Sequence, residues 1–191
     1  MSSNTSLLAY NLLHMEIVKY HTSCVESINK KKKEWSLKNN GELDVCGILK
    51  QDDPVISQLF TQGSVETRLE LMGFRIGQTI CEKVSKDTNR LSSSLEIMKF
   101  ICKEFWLFIF SKQADNLKTN NQGIFVIFDN KFSLLMNFSH GKRFVSKSGY
   151  YLALPSGIIR GALHSLNVKA IVTASTELIP GAKFQIHLQP N

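Results

Sequence analysis

No two cysteines of this sequence stand in a Cys-x-x-Cys spacing: Cys24, Cys46, Cys81 and Cys102 are far apart, so neither a zinc ribbon nor a dithiol redox motif is present. They read as reduced structural thiols. Long hydrophobic runs are missing too. The longest, Phe105 to Phe110, falls far short of the roughly 20 residues that a membrane-spanning helix needs. The first residues carry no basic segment, and Asn11, His14 and Glu16 interrupt the early apolar positions, which argues against a signal peptide and makes the cytoplasm the expected compartment. A phosphate-binding loop is absent, because Gly73-Phe74-Arg75-Ile76-Gly77 lies inside a helical pattern and lacks the Gly-Lys-Ser/Thr ending. His14, His21, His140, His164 and His187 form no close set with carboxylates, so no metal or cofactor is expected. Ser156-Gly157 lacks both the Gly-x-Ser-x-Gly pattern and the preceding strand of a nucleophile elbow. The chain reads as a protein without catalytic residues.

What is present is enough apolar material for one core. The 191 residues fit one domain, with 43% hydrophobic and 20% charged residues. The net charge of +7 raises the question of an acidic partner. Only Lys30 to Lys33 form a run, and the other lysines are scattered among acids with no interleaved aromatics. This argues against nucleic acid and leaves at most a weak peripheral contact with acidic lipid.

Four helices and two hairpins are expected. Leu8, Leu12, Met15 and Val18 line a first helix from about Ser6 to Tyr20, widened by Leu13, Ile17 and Tyr20 and capped by Thr5 or Ser6. The pattern then dissolves, so residues 21–53 read as a loop or flexible insertion. A second helix starts at Val65 after the cap Ser64, with Glu66 near its start and Lys83 and Lys86 near its end, as the helix dipole prefers. Leu69, Met72, Ile76, Ile80 and Val84 form its stripe, and Gly73 and Gly77 sit beside it. Each glycine costs about 1 kcal/mol of helix propensity against alanine, so the pair implies close approach of another backbone, from a partner or from within the subunit.

Ser92, Ser93 and Ser94 offer caps for a third helix from Leu95 to about Lys112, whose end, Phe105 to Phe110, is expected to be buried all round. Ile124–Phe128 and Phe132–Met136 read as a hairpin turning at Asp129-Asn130. A fourth helix spans about Tyr150 to Leu166. It has Gly157 and Gly161 at the same spacing and a start loosened by Pro155. Arg160 within it must find partners or reach the surface: a carboxylate, for which Asp87 and Glu96 are candidates, or backbone carbonyls, ahead of a role as an interface anchor. Strands Val168 to about Ser175 and Ala182 to about Gln189 close the chain, the latter with Phe184, Ile186 and Leu188 on one face. The order ααα-ββ-α-ββ defines an α+β fold with helices packed on one side of antiparallel hairpins.

Met72-Gly73-Phe74-Arg75-Ile76-Gly77, Lys86-Asp87-Thr88, Ile97 through Trp106 and Ile158-Ile159-Arg160-Gly161-Ala162-Leu163 together resemble the small subunits of the transport protein particle, TRAPP. Asp115-Asn116-Leu117, Asn120-Asn121-Gln122-Gly123, Asp129-Asn130-Lys131-Phe132 and Lys169 through Ala174 resemble its subunit-six branch. The resemblance covers the first helix and almost everything from about residue 64 onward, and leaves the insertion outside.

The resemblance implies the same α+β fold in a non-catalytic scaffold subunit. Such a subunit pairs with a paralogous small subunit through its first helices and joins a tether in transport from endoplasmic reticulum to Golgi. The assembled particle activates a Rab GTPase by nucleotide exchange, so this chain would meet the GTPase only indirectly, at cis-Golgi and endoplasmic reticulum membranes. The interface expected on this basis comprises Leu8, Leu12, Met15, Leu69, Met72, Gly73, Ile76, Gly77 and Ile80. The related subunit three carries an acylated cysteine between the second and third helices. Here Arg90-Leu91 occupies that stretch, and neither Cys81 nor Cys102 is at the matching place, so acylation does not carry over. The rival reading is a lipid-binding module with a cavity under the third helix.

Overall fold

The computed structural model describes residues 2–38, 64–88, 91, 93–120, 122–136, 138 and 148–189; side chains 2–7, 31–33, 35–38 and 87 are outside the description. Helix α1 spans Ser2–Lys38. It neither starts at Ser6 nor ends at Tyr20: no glycine precedes Gly41 and no proline precedes Pro54, so nothing stops the helix where the apolar pattern fades. The expected insertion is therefore helical over 21–38, and its remainder, 39–53, falls outside the described residues.

Helix α2 (Val65–Val84) begins where its signals place it, with Ser64 Oγ accepting from the Thr67 N–H at 3.1 Å. The third helix runs as α3 (Ser94–Phe100), a π-helical stretch (Ile101–Phe105) and α4 (Trp106–Phe110). Its cap is Ser93, in a reciprocal box with Glu96. Phe105, Trp106 and Phe110 point inward, and Leu107 and Phe108 stand about half exposed, so this end is not buried all round as expected. One face of even an apolar run remains outward when a helix lies at the surface.

Helix α5 (Ser148–Ser165) continues through Pro155 without a break, and residues 152–159 are all buried. Proline removes the bond that the Tyr151 carbonyl would otherwise accept. His14 of α1 lies against that stretch of backbone, where a hydrogen bond from its ring would favour the charged form. The geometry is loose, since neither ring nitrogen has an aligned partner among the described residues.

Strands β1 (Asn116–Thr119), β2 (Ile124–Asp129), β3 (Ala170–Ser175) and β4 (Ala182–Leu188) form one antiparallel sheet in the order β1-β2-β4-β3. The first hairpin pairs β2 with the polar β1, not with Phe132–Met136. The latter segment is a 3₁₀ turn at Ser133–Leu135. Phe132, Leu134 and Leu135 are all buried, whereas a half-covered strand would send alternate residues to water. Asn130 does not take the positive φ of a two-residue hairpin turn; among the described non-glycine residues only Ser111 and Asn167 do.

The inner sheet face carries Phe125, Ile127, Val172, Phe184 and Ile186 into a single core with the helices. An aromatic cluster of Trp106, Phe110, Phe132 and Phe184, with neighbouring ring centroids 4.8–5.4 Å apart in four of its pairs, joins the third helix to the sheet. Below it Asp129 is buried, accepting from Trp106 Nε1 at 3.0 Å and Lys112 Nζ at 2.6 Å. Sequence reasoning placed Asp129 at a turn and in a subunit-six motif, and did not foresee its burial beneath Trp106 and Lys112. The arrangement is the α+β fold expected, with helices on one side of paired hairpins.

Candidate partner interface

The nine residues expected at an interface separate into two groups. Leu69 is 0% exposed, and Gly73 and Gly77 are buried with it. A Cβ on Gly73 or Gly77 would fall on the carbonyl oxygens of Leu154 or Ile158 in α5; one on Gly157 or Gly161 would fall on those of Glu70 or Phe74 in α2. The two helices therefore run side by side in the same direction with their backbones in contact, which only glycine permits. Leu69, Gly73 and Gly77 are used up inside the subunit and are not available to a partner. Arg160 flanks this seam: its Nε lies 3.2 Å from Glu70 Oε1, and its guanidinium sits 5.1 Å from the Phe74 ring centre. The acid is Glu70, in place of the expected Asp87 or Glu96, because Glu70 lies on the helix that the glycines bring into contact. The Nε–H is not aimed at the carboxylate, so attraction of charges holds the pair.

The other six remain at or near the surface. Met72, Ile76 and Ile80 on α2 line an open groove of ≈ 410 Å³ together with Arg75 and Thr79. On α1, Leu8 and Leu12 are 52% and 55% exposed, and Met15 is half-buried. Leu13 and Tyr20, which widen the apolar face of α1, and Leu71 on α2 lie outside the expected nine and are exposed too. The sequence reading left open which side of α1 faces inward. The inner face is Asn11, His14 and Val18, with Tyr10 and Ile17 beside them, so polar residues are buried and leucines are left in water.

This polar seam is poorly satisfied. Asn11 Nδ2 reaches the Ser133 carbonyl at 3.5 Å, while Tyr10 Oη, Asn11 Oδ1 and both His14 nitrogens have no partner among the described residues. Burial pushes the His14 pKa down to about 4 and that of Tyr10 up to about 12. Over residues 8–14 helix α1 thus turns Asn11 and His14 to the body and keeps Leu8, Leu12 and Leu13 outside.

Among the described residues no group of three His, Cys, Asp or Glu could hold a metal ion, and no helix is long and apolar enough to cross a membrane.

The family model described as transport protein particle (TRAPP) component matches residues 10–189, and the chain belongs to that family. Trafficking protein particle complex subunit 6B from Mus musculus is 51% identical over 133 residues, covering 67% of this chain and 84% of that protein. Subunit 6A from Bos taurus is 42% identical over 121 residues, covering 63% and 76%. Within the family the chain is a small subunit of the subunit-six branch. A crystal structure of a trafficking protein particle complex subunit 3 from Naegleria fowleri, covalently bound to palmitic acid, matches with a TM-score of 0.55. It covers 84% of this chain and 97% of that one at 19% identity, which establishes the shared fold.

Proposed function

We propose that the chain is a non-catalytic structural subunit of a vesicle tether in transport from endoplasmic reticulum to Golgi. Its residues 1–191 act as one domain that heterodimerises with a paralogous small subunit through the outer faces of α1 and α2. The observation that carries this reading is the orientation of α1, which buries Asn11 and His14 and presents Leu8 and Leu12 to solvent. A free subunit would gain by the reverse, since each leucine left about half exposed forgoes roughly half of the ~1.5–3 kcal/mol that full burial is worth. The open apolar groove on α2, a helix in contact with α1, supports the same surface. Rab nucleotide exchange belongs to the assembled particle, with this chain as scaffold. Localisation is peripheral, at cis-Golgi and endoplasmic reticulum membranes, with any direct lipid contact a weak one through the Lys30–Lys33 run.

The rival lipid-cavity reading draws on the palmitic acid bound by the Naegleria fowleri subunit 3, and the packing under the third helix of this chain weighs against it. Met98, Ile101, Phe105 and Trp106 have zero accessible surface, so no water-sized space abuts them. The test is size-exclusion chromatography with light scattering on the chain mixed with a paralogous small subunit. Leu12→Asp and Ile76→Asp are expected to abolish the heterodimer and leave the circular dichroism melt of the free chain intact. Unchanged pairing in both variants would sink the proposal.

A further inference from the structure

The exposed groove on α2 has a charge in its wall. Its apolar ridge, Met72, Ile76 and Ile80, is spaced at every fourth residue, and Arg75 and Thr79 form the next parallel ridge. A channel between two such ridges is the shape into which a ridge of another helix packs, which makes a helix the fitting occupant. Arg75 is exposed, and its guanidinium has neither an ion pair nor a hydrogen bond among the described residues. The contrast with Arg160 is direct, since that arginine has Glu70 within 3.2 Å and Phe74 beneath it.

In the free chain water satisfies Arg75. Once a helix covers the groove that water is expelled, and an arginine left buried without a partner would oppose docking. A helix laid along the groove has committed its carbonyls to its own hydrogen bonds, so the acceptor has to be a side chain. Among side-chain acceptors a carboxylate matches the planar fork of a guanidinium and cancels its charge.

We infer that Arg75 is the specificity-determining residue of the α2 groove, and that its occupant is a partner helix carrying an apolar ridge flanked by an aspartate or glutamate that pairs with it. The inference rests on the proposed heterodimer surface and adds the chemistry of the partner. The apolar ridge sets the strength of docking; Arg75 selects which helix docks.

The experiment uses the full chain and a paralogous small subunit, with affinity measured for the wild type, Arg75→Glu, Arg75→Met and Ile76→Asp. Arg75→Glu is expected to weaken the heterodimer about 100-fold or more, and Arg75→Met about 10-fold, because either leaves the partner's acid unmatched. Reversing the partner's surface acids one at a time to lysine should identify one reversal that restores binding to Arg75→Glu within about 10-fold of wild type. Wild-type affinity in both Arg75 variants, alongside loss in Ile76→Asp, would overturn the carboxylate and keep the interface. No loss in Ile76→Asp would overturn the proposed surface itself. Failure of every reversal to rescue also overturns the carboxylate. So does a loss by Arg75→Glu confined to phosphatidylserine vesicle binding or to self-association.

Discussion

The α2–α5 seam and the α1 seam are built from opposite materials. Between α2 and α5 four glycines let two backbones touch, Leu69 and Ile158 fill the space around them, and the one charged pair stands at the margin. Between α1 and the body, Tyr10, Asn11 and His14 are packed inward with atoms that have no partner among the described residues, and the leucines face out. A seam that must hold a lone subunit together is dry and close-packed. One that leaves an apolar face in water suits an element whose better half is meant for another chain. Local stability is expected to differ accordingly.

The largest effect should come from the glycine seam. Gly157→Val would drive a branched side chain into the Glu70 carbonyl, and a loss of roughly 4 kcal/mol or more is expected, enough to unfold a marginal domain. Thermal melting followed by circular dichroism checks it, and a near-native melting temperature would mean that α2 and α5 are not in backbone contact.

His14 comes next, and it probes the other seam. Its folded pKa of about 4 lies below the ordinary value of 6.5 because burial penalises the charged form. Below pH 6.5 the unfolded chain takes up a proton that the folded chain refuses. The stability held by neutral His14 is therefore complete above pH 6.5 and lost progressively as pH falls toward 4, in total on the order of 3 kcal/mol. Urea denaturation of the wild type and His14→Leu at pH 7 and pH 5 isolates this contribution. Parallel pH dependence in the two proteins would show that the ring is solvated and the α1 seam open.

Pro155→Ala tests the link between the seams. Alanine restores the bond to the Tyr151 carbonyl, which then competes with His14 for it, so the net change should stay within about 1 kcal/mol. Hydrogen exchange should show α5 better protected and α1 less so; equal gains in both would argue that His14 and the carbonyl do not interact. The smallest effect belongs to Leu12→Ser in the isolated chain, within about 0.5 kcal/mol of wild type by urea denaturation, because Leu12 already stands in water. A loss of 2 kcal/mol would place Leu12 in the subunit core.

Several parts of the fold are legible in the sequence because independent signals coincide. Ser64, Glu66, Lys83 and a helical stripe all mark α2, and β4 alternates cleanly from Phe184 to Leu188. The strand β1 is not legible, since Asn116–Thr119 has little apolar side to bury and is a strand only because β2 offers it an edge. The segment Phe132–Leu135 misleads for the converse reason: its apolar residues imitate a strand while filling the core from a 3₁₀ turn. The length of α1 is hidden because polar helix carries no apolar period, and only the lack of glycine and proline marks it.

The candidate interface divides in the same way. Sequence by itself determined that two helices carry apolar stripes, that paired glycines require a close backbone, and that the subunit-six motifs are present in order. Tertiary structure alone decided that α5 answers the glycines of α2, that the leucines of α1 face outward, and that Arg75 stands in an open groove without an ion pair among the described residues. The physical reason is that an apolar stripe specifies burial without specifying against what. That choice is made when the elements compete for one another's surfaces, and it is not written in any single helix.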